Sequence, residues 1–377
     1  MINFDIIEKN YTDHNEKRVA DGYFLGSICG VWDKEKKLFG KTVGFSKLDK
    51  SLGIKENSLF RLASMTKPIT ACAFMQIFEK GLVGLDTPIS EIIPEFKDMR
   101  VAVKIEDGEI KETEKMRFQI TPRMILSHSS GIGCGESIMI QSKYIRKCQT
   151  LEETALKYSD SVLEFQPGTR QAYSGTWAFD VLARVIEIVS GKRYEDYLKE
   201  NIFEPLGMCD TTYCPTDEQL TRVVDFCKST ENGIVSHPIP PKSGFGGFGE
   251  GWSGGGAGLF STINDYSKFA RMLLRKGELN GKRILKSSSV DLIRTSQTVN
   301  TEKGKTETMW GLSVFVRRDS DFLPNGVFGW SGAYGPHFWV DLEREITCIY
   351  MVNLANARGS GEPASHEFER DVMSGIE

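Results

Sequence analysis

At 377 residues, 40% apolar and 26% charged, the chain has the composition of a soluble globular protein, long enough for one large domain or two ordinary ones. A net charge of −4 and an isoelectric point near 5.9 supply no basic surplus, which argues against nucleic acid and anionic membrane surfaces as partners. No apolar run approaches the roughly 20 residues that span a bilayer, and the five histidines lack H-E-x-x-H or similar spacing, so neither a metal nor another cofactor is expected.

In chain order, residues 5–20 read as a helix. The start of the chain, with Asp5 and no long apolar stretch, does not read as a secretory signal. Eight cysteines without a C-x-x-C pair then suggest reduced thiols in a cytoplasmic protein. Strands are expected over 24–31 and 38–44, separated by the turn-like Asp33-Lys34-Glu35-Lys36. Next comes Ser64-Met65-Thr66-Lys67, followed by Ala71, Ala73, Phe74, Ile77 and Phe78 at helical spacing and stopped at Gly81. Pro68 is tolerable only in a first turn, which places Ser64 at the amino end. Residues three apart share a helix face, so Lys67 can lie against the Ser64 hydroxyl. Unpaired N–H groups and the helix dipole there favour a developing oxyanion, and a desolvated lysine can act as a base. On spacing alone, an N-cap serine followed by an exposed lysine is the plainer reading of these four residues.

From 85 to about 208 the pattern is helix and loop. Short helices are expected after Asp86-Thr87-Pro88, from Thr121-Pro122, and over 150–158, with a longer one over 179–190 ended by Gly191. Tyr173-Ser174-Gly175 precedes this last helix and follows the turn Gln166-Pro167-Gly168-Thr169. A tyrosine reaching a lysine-bearing cleft can serve as a general base; a half-buried tyrosine at a helix entrance is the plainer reading. Residues 243–258 hold nine glycines and lead into a helix near Thr262, which with Asp265 resembles a capping box. Antiparallel strands are expected over 309–316, 327–331, 336–341 and 346–352. Trp330-Ser331-Gly332-Ala333 ends one of them, where the small Gly332 permits close backbone approach and the Ala333 N–H can face a carbonyl oxygen. An ordinary hairpin is the alternative. The order of elements suggests an α/β (α+β) fold, with 1–80 and 250–377 as a discontinuous domain and 81–249 as a mainly helical insertion.

Six motifs in order carry a resemblance to a known family. They are Phe60-Arg61-Leu62-Ala63-Ser64-Met65-Thr66-Lys67, Ile125-Leu126-Ser127-His128-Ser129-Ser130-Gly131-Ile132, and Gln166-Pro167-Gly168 before Tyr173-Ser174. Glu204-Pro205-Leu206-Gly207-Met208, the run from Gly254 to Thr262, and Trp330-Ser331-Gly332 complete them. Over roughly 20–355 the chain resembles the serine β-lactamase and penicillin-binding-protein family, in particular its class C β-lactamase-like and esterase branch. The resemblance implies an antiparallel sheet flanked by helices and a cofactor-free acyl-serine mechanism. It makes Ser64 the nucleophile, Lys67 and Tyr173 the base pair, and the N–H groups of Ser64 and Ala333 the oxyanion hole. Substrate contacts would fall at Trp330, Ser331, Gly332 and Gly175, with His337 as a further residue that could line the cleft.

Two departures bear on substrate. Trp330 stands where the β-lactamases of the family begin their third motif with lysine, and Gly175 stands where class C enzymes carry an asparagine. Both remove polar recognition of a β-lactam or peptide, and tryptophan offers an apolar wall instead. The expectation is therefore a carboxylesterase on small esters. The alternatives are a β-lactamase, a D-amino-acid peptidase or an acyltransferase using the same acyl-serine, or a non-catalytic acyl-binding sensor. A rival serine, in Gly251-Trp252-Ser253-Gly254-Gly255, matches the G-x-S-x-G elbow but would need a strand before it and a helix directly after. His128 reads as a structural turn residue, and Arg358 as a surface arginine.

Overall fold

The computed structural model describes residues 2–143, 145, 148–244, 253–297, 308–318 and 322–376. Its centre is a seven-stranded antiparallel sheet. The order is Thr308–Trp310, Phe315–Arg317, Phe328–Ser331, His337–Asp341, Ile346–Met351, Gly26–Trp32, Lys37–Gly44. The central strands Gly26–Trp32 and Ile346–Met351 are buried at every position, because helices cover both faces. On one face lie the terminal helices Phe4–Ala20 and Pro363–Ser374, where Tyr11 packs against Tyr350 and Phe368. On the other lies the helix Ile263–Leu274, whose Tyr266 meets Phe338 edge-on.

Side-chain alternation gives the strand Phe328–Ser331 two roles. Trp330 pairs with Phe338 and so shares the face of Tyr266, whereas Ser331 pairs with His337, which in turn pairs with Tyr350 on the terminal-helix face. The neighbouring strand Phe315–Arg317 pairs with this strand only at Phe328 and Gly329, so Trp330 and Ser331 run past the end of that neighbour.

The helix Thr66–Glu79 is buried from Thr66 through Ile77, on all sides and with Lys67, Thr70 and Gln76 among the buried residues, and packs against Trp177–Ser190. Its start differs from expectation. Ser64 sits in a one-turn 3₁₀ segment, Ala63–Met65, and the α-helix begins two residues later, with Pro68 still inside the first turn.

Three other expectations change. The region read as helix and loop contains a hairpin, Arg100–Glu106 with Glu109–Lys115, and a short strand Val162–Leu163 beside it. The first strand does alternate, with Val101, Val103 and Ile105 between polar or small residues, a signal the helix-and-loop reading passed over. Its partner Glu109–Lys115 is charged or polar apart from Ile110, and the connecting Asp107 and Gly108 both take positive φ, as a type I′ turn demands. The single strand read over 309–316 is two, split by a tight turn at which Ser313 has φ +71°. Its buried Leu312 and Val314 supply the apolar run that masked the turn. Thr262 does cap its helix through the Asp265 N–H, but the Asp265 carboxylate turns to the Asp210 N–H, Thr211 and Lys268.

Candidate active site

Ser64 occupies a strained corner. Ala63 before it has φ +44°, a left-handed conformation rare without glycine, and the 3₁₀ turn leaves the first N–H groups without intrahelical partners. One helical turn later, the fully buried Lys67 places its Nζ 3.1 Å from Ser64 Oγ. The ammonium also donates to the carbonyls of Gly175 at 2.6 Å and Gly256 at 2.8 Å, so its three donors are used. It lies over the rings of Tyr173 and Phe179, at 5.0 and 5.3 Å from their centroids. Gly256 belongs to the glycine-rich stretch, and a Cβ there would lie 2.6 Å from Thr176 Cα. Only glycine lets this backbone come close enough to bring its carbonyl to Lys67.

Tyr173 completes the group, with its Oη 2.7 Å from Ser64 Oγ. The tyrosine is 40% exposed and is the member of the trio that meets solvent. Around its ring stand His128, Trp310 and Trp330, the four rings packed with centroid separations of 4.5 to 6.1 Å. Burial first, and then the Lys67 charge, hold the His128 imidazole well below its usual pKa, so it is neutral here. The structure thus brings Ser64, Lys67, Tyr173, Gly175 and Trp330 together.

The end of the strand Phe328–Ser331 abuts the Ser64 turn, where a Cβ at Gly332 would collide with the Leu62 carbonyl oxygen. The Gly332 N–H donates to Pro336 O and the Gly335 N–H to Gly332 O, folding 332–336 into a turn. Ala333 lies in that turn, and its N–H has no hydrogen-bond partner among the described residues. Beside it, the buried indole Nε1 of Trp330 is likewise without one.

The Ser331 hydroxyl and His337 are not brought to Ser64. They face the terminal helices, with Ser331 Oγ 2.8 Å from His337 Nδ1 and His337 Nε2 2.9 Å from Glu369 Oε1. His337, read as a residue that could line the cleft, is a buried link between sheet and helix: the period-2 alternation that puts Trp330 at Tyr173 puts His337 on the opposite side. In the rival motif, Gly251 and Trp252 lie outside the described residues; Ser253 is hydrogen-bonded to Glu195, and no helix follows it directly. Asn353 ties the Arg61 N–H to the Val224 carbonyl.

Sequence reasoning missed three residues of the site: the Gly256 carbonyl, Trp310 and His128. The first two had no local signal. His128 was visible in Ser127-His128-Ser129-Ser130 but nothing in the sequence said which element the turn would face. Among the described residues no group of three or more His, Cys, Asp or Glu side chains could hold a metal ion, and no helix is long and apolar enough to cross a membrane.

A covered antiparallel sheet with a serine, a lysine one turn on and a tyrosine at its hydroxyl defines the β-lactamase and transpeptidase-like class of serine hydrolases. The chain belongs to the Beta-lactamase family, whose profile matches residues 12–367. It is 30% identical to an uncharacterized protein of Mycobacterium tuberculosis, over 89% of this chain and 88% of that one. It is 25% identical to the esterase EstB of Burkholderia gladioli, over 92% and 90%. Among solved structures it superposes on EstCE1, a hydrolase with promiscuous acyltransferase activity, with a TM-score of 0.81 at 21% identity, covering 98% of this chain and 99% of that one.

Proposed function

We propose that the protein is a carboxylesterase that acts on small esters through an acyl-enzyme on Ser64. The observation that carries this is the convergence of Tyr173 Oη and Lys67 Nζ on one serine oxygen, at 2.7 and 3.1 Å. In the reactive form the Tyr173–Lys67 pair is one proton short of tyrosine plus ammonium, and it takes up the Ser64 hydroxyl proton as Ser64 Oγ attacks the ester carbonyl. The N–H groups of Ser64 and Ala333 receive the oxyanion, and the proton then goes to the departing alcohol. Water, activated by the same pair, releases the acid and restores the serine. In this reading the site lies between the discontinuous α/β domain, 1–80 and 250–377, and the insertion 81–249, and the protein is cytoplasmic.

The preference for esters rests on Trp330 and Gly175, which present an apolar ring and a bare backbone where a β-lactamase of the family has lysine and asparagine. The likeness to EstCE1 favours a second use of the same intermediate, transfer of the acyl group to an added alcohol. A panel of short p-nitrophenyl esters run against a chromogenic cephalosporin tests the preference. Esters should be turned over faster by orders of magnitude; a cephalosporin rate well above the ester rates would overturn it.

A further inference from the structure

His128 grips Tyr173 from both sides. Its backbone carbonyl accepts the Ala172 N–H at 2.9 Å, and its Nδ1 accepts the Ser174 N–H at 3.2 Å. The residues on either side of Tyr173 are thus both tied to one residue, whose ring lies 4.7 Å from the tyrosine ring. Tyr173 needs such a tie, because residues 171–174 belong to no helix or strand and the side chain is open to solvent. Two features of His128 are costly to the fold. Its φ is +57°, and its Nε2 is buried without a hydrogen-bond partner among the described residues. A side chain needed only to fill space would carry neither the positive φ nor the orphaned donor.

We propose that His128 is a positioning residue that holds Tyr173 Oη over Ser64, acting as a hydrogen-bond acceptor through Nδ1. The proposal rests on Tyr173 serving as base for Ser64. Acceptance at Nδ1 needs a free lone pair, so the ring must be neutral with its proton on Nε2. The surroundings enforce that state. The titratable groups facing the imidazole are Lys67, from the helix Thr66–Glu79, and Tyr173 itself. The helix Trp177–Ser190 contributes Phe179, and the two strands contribute Trp310 and Trp330, none of which carries a charge. A second proton would turn the acceptor into a donor against the Ser174 N–H and set a cation beside Lys67.

Three variants test this, with thermal unfolding recorded for each. His128→Asn supplies an acceptor near the Nδ1 position and tolerates positive φ. His128→Phe keeps an aromatic ring without the acceptor, and His128→Gln carries its amide one carbon too far, so Gln decides the matter if Phe fails to fold. The Phe and Gln variants should lose roughly 10–100-fold in kcat with KM changed less than about threefold, and Asn should recover most of the loss. In a Tyr173→Phe background the same substitutions should cost nothing further, since the group to be positioned is gone. Undiminished kcat in the folded Phe or Gln variant, failure of Asn to recover activity, or a full additional loss beside a crippled Tyr173→Phe would overturn the positioning role. Full activity in Tyr173→Phe alone would instead remove the base assignment, and this proposal with it.

Discussion

Two buried serines in this molecule each touch a titratable partner, and they lie on opposite sides of the same structural seam. Ser331 reaches His337 at 2.8 Å, and His337 reaches Glu369 at 2.9 Å, the connectivity of a serine–histidine–acid arrangement. Among the described residues Ser64 has no histidine partner, only Lys67 and Tyr173. The surroundings separate them. Glu369 also takes Arg317 and His366, so the Ser331 chain ends in a carboxylate shared among three side chains under the terminal helices. At Ser64 the backbone is strained at Ala63, the Ala333 N–H and the Trp330 Nε1 have no partner among the described residues, and an exposed tyrosine leads out to solvent. Under the proposed function, connectivity does not mark the nucleophile; strain, unpaired donors and a way in do.

The contrast breaks most sharply with paired alanines. Ser64→Ala should lower kcat/KM on the order of 10⁴-fold or more, while Ser331→Ala should stay within about threefold of the parent in the same ester assay. Equal losses at both serines would erase the distinction. Lys67→Ala comes next, with an expected fall of roughly 10²–10⁴ in kcat, read in single-turnover acylation so that product release does not mask it.

The Ser331 side should answer in stability instead. Burial alone would raise the Glu369 carboxyl, but hydrogen bonds from His337 and His366 and the Arg317 charge hold it well below the usual carboxylate range. A carboxyl depressed by folding stabilises above its unfolded pKa, and that contribution fades as pH falls through the folded value. Glu369→Gln should thus cost about 3–5 kcal/mol at pH 7 in denaturant unfolding, and the gap to the parent should narrow below about pH 4.5. A pH-independent gap would mean that the charge is not what stabilises the network. The smallest effect is expected at the wall of the site: Trp330→Ala should raise KM for apolar esters by about tenfold with kcat little changed.

Much of this was legible in the sequence for identifiable reasons. Ser64 and Lys67 could be paired because helical spacing is a local property; Tyr173, which the family resemblance implied, does lie at Ser64 Oγ, while the oxyanion role the resemblance gave Ala333 stays a proposal. The terminal strands showed themselves through runs of buried apolar residues. What escaped depended on which side of a strand or turn faces what. His337 follows the third motif, Trp330-Ser331-Gly332, by five residues yet points to the other layer, because side chains alternate along a strand and a turn intervenes. The role of Gly256 rests on a carbonyl, which no residue identity encodes. In the hairpin at 100–115 the alternation is confined to Val101, Val103 and Ile105, and the charged partner strand Glu109–Lys115 does not continue it.

The most direct measurement is covalent. The folded protein is incubated with a fluorophosphonate probe, digested, and the labelled peptide identified by mass spectrometry, with Ser64→Ala run alongside. The expected result is a single adduct on Ser64, formed in step with loss of esterase activity and absent from the variant. Labelling at Ser331 or Ser253, or ester hydrolysis that survives full occupancy of Ser64, would contradict the assignment of the nucleophile.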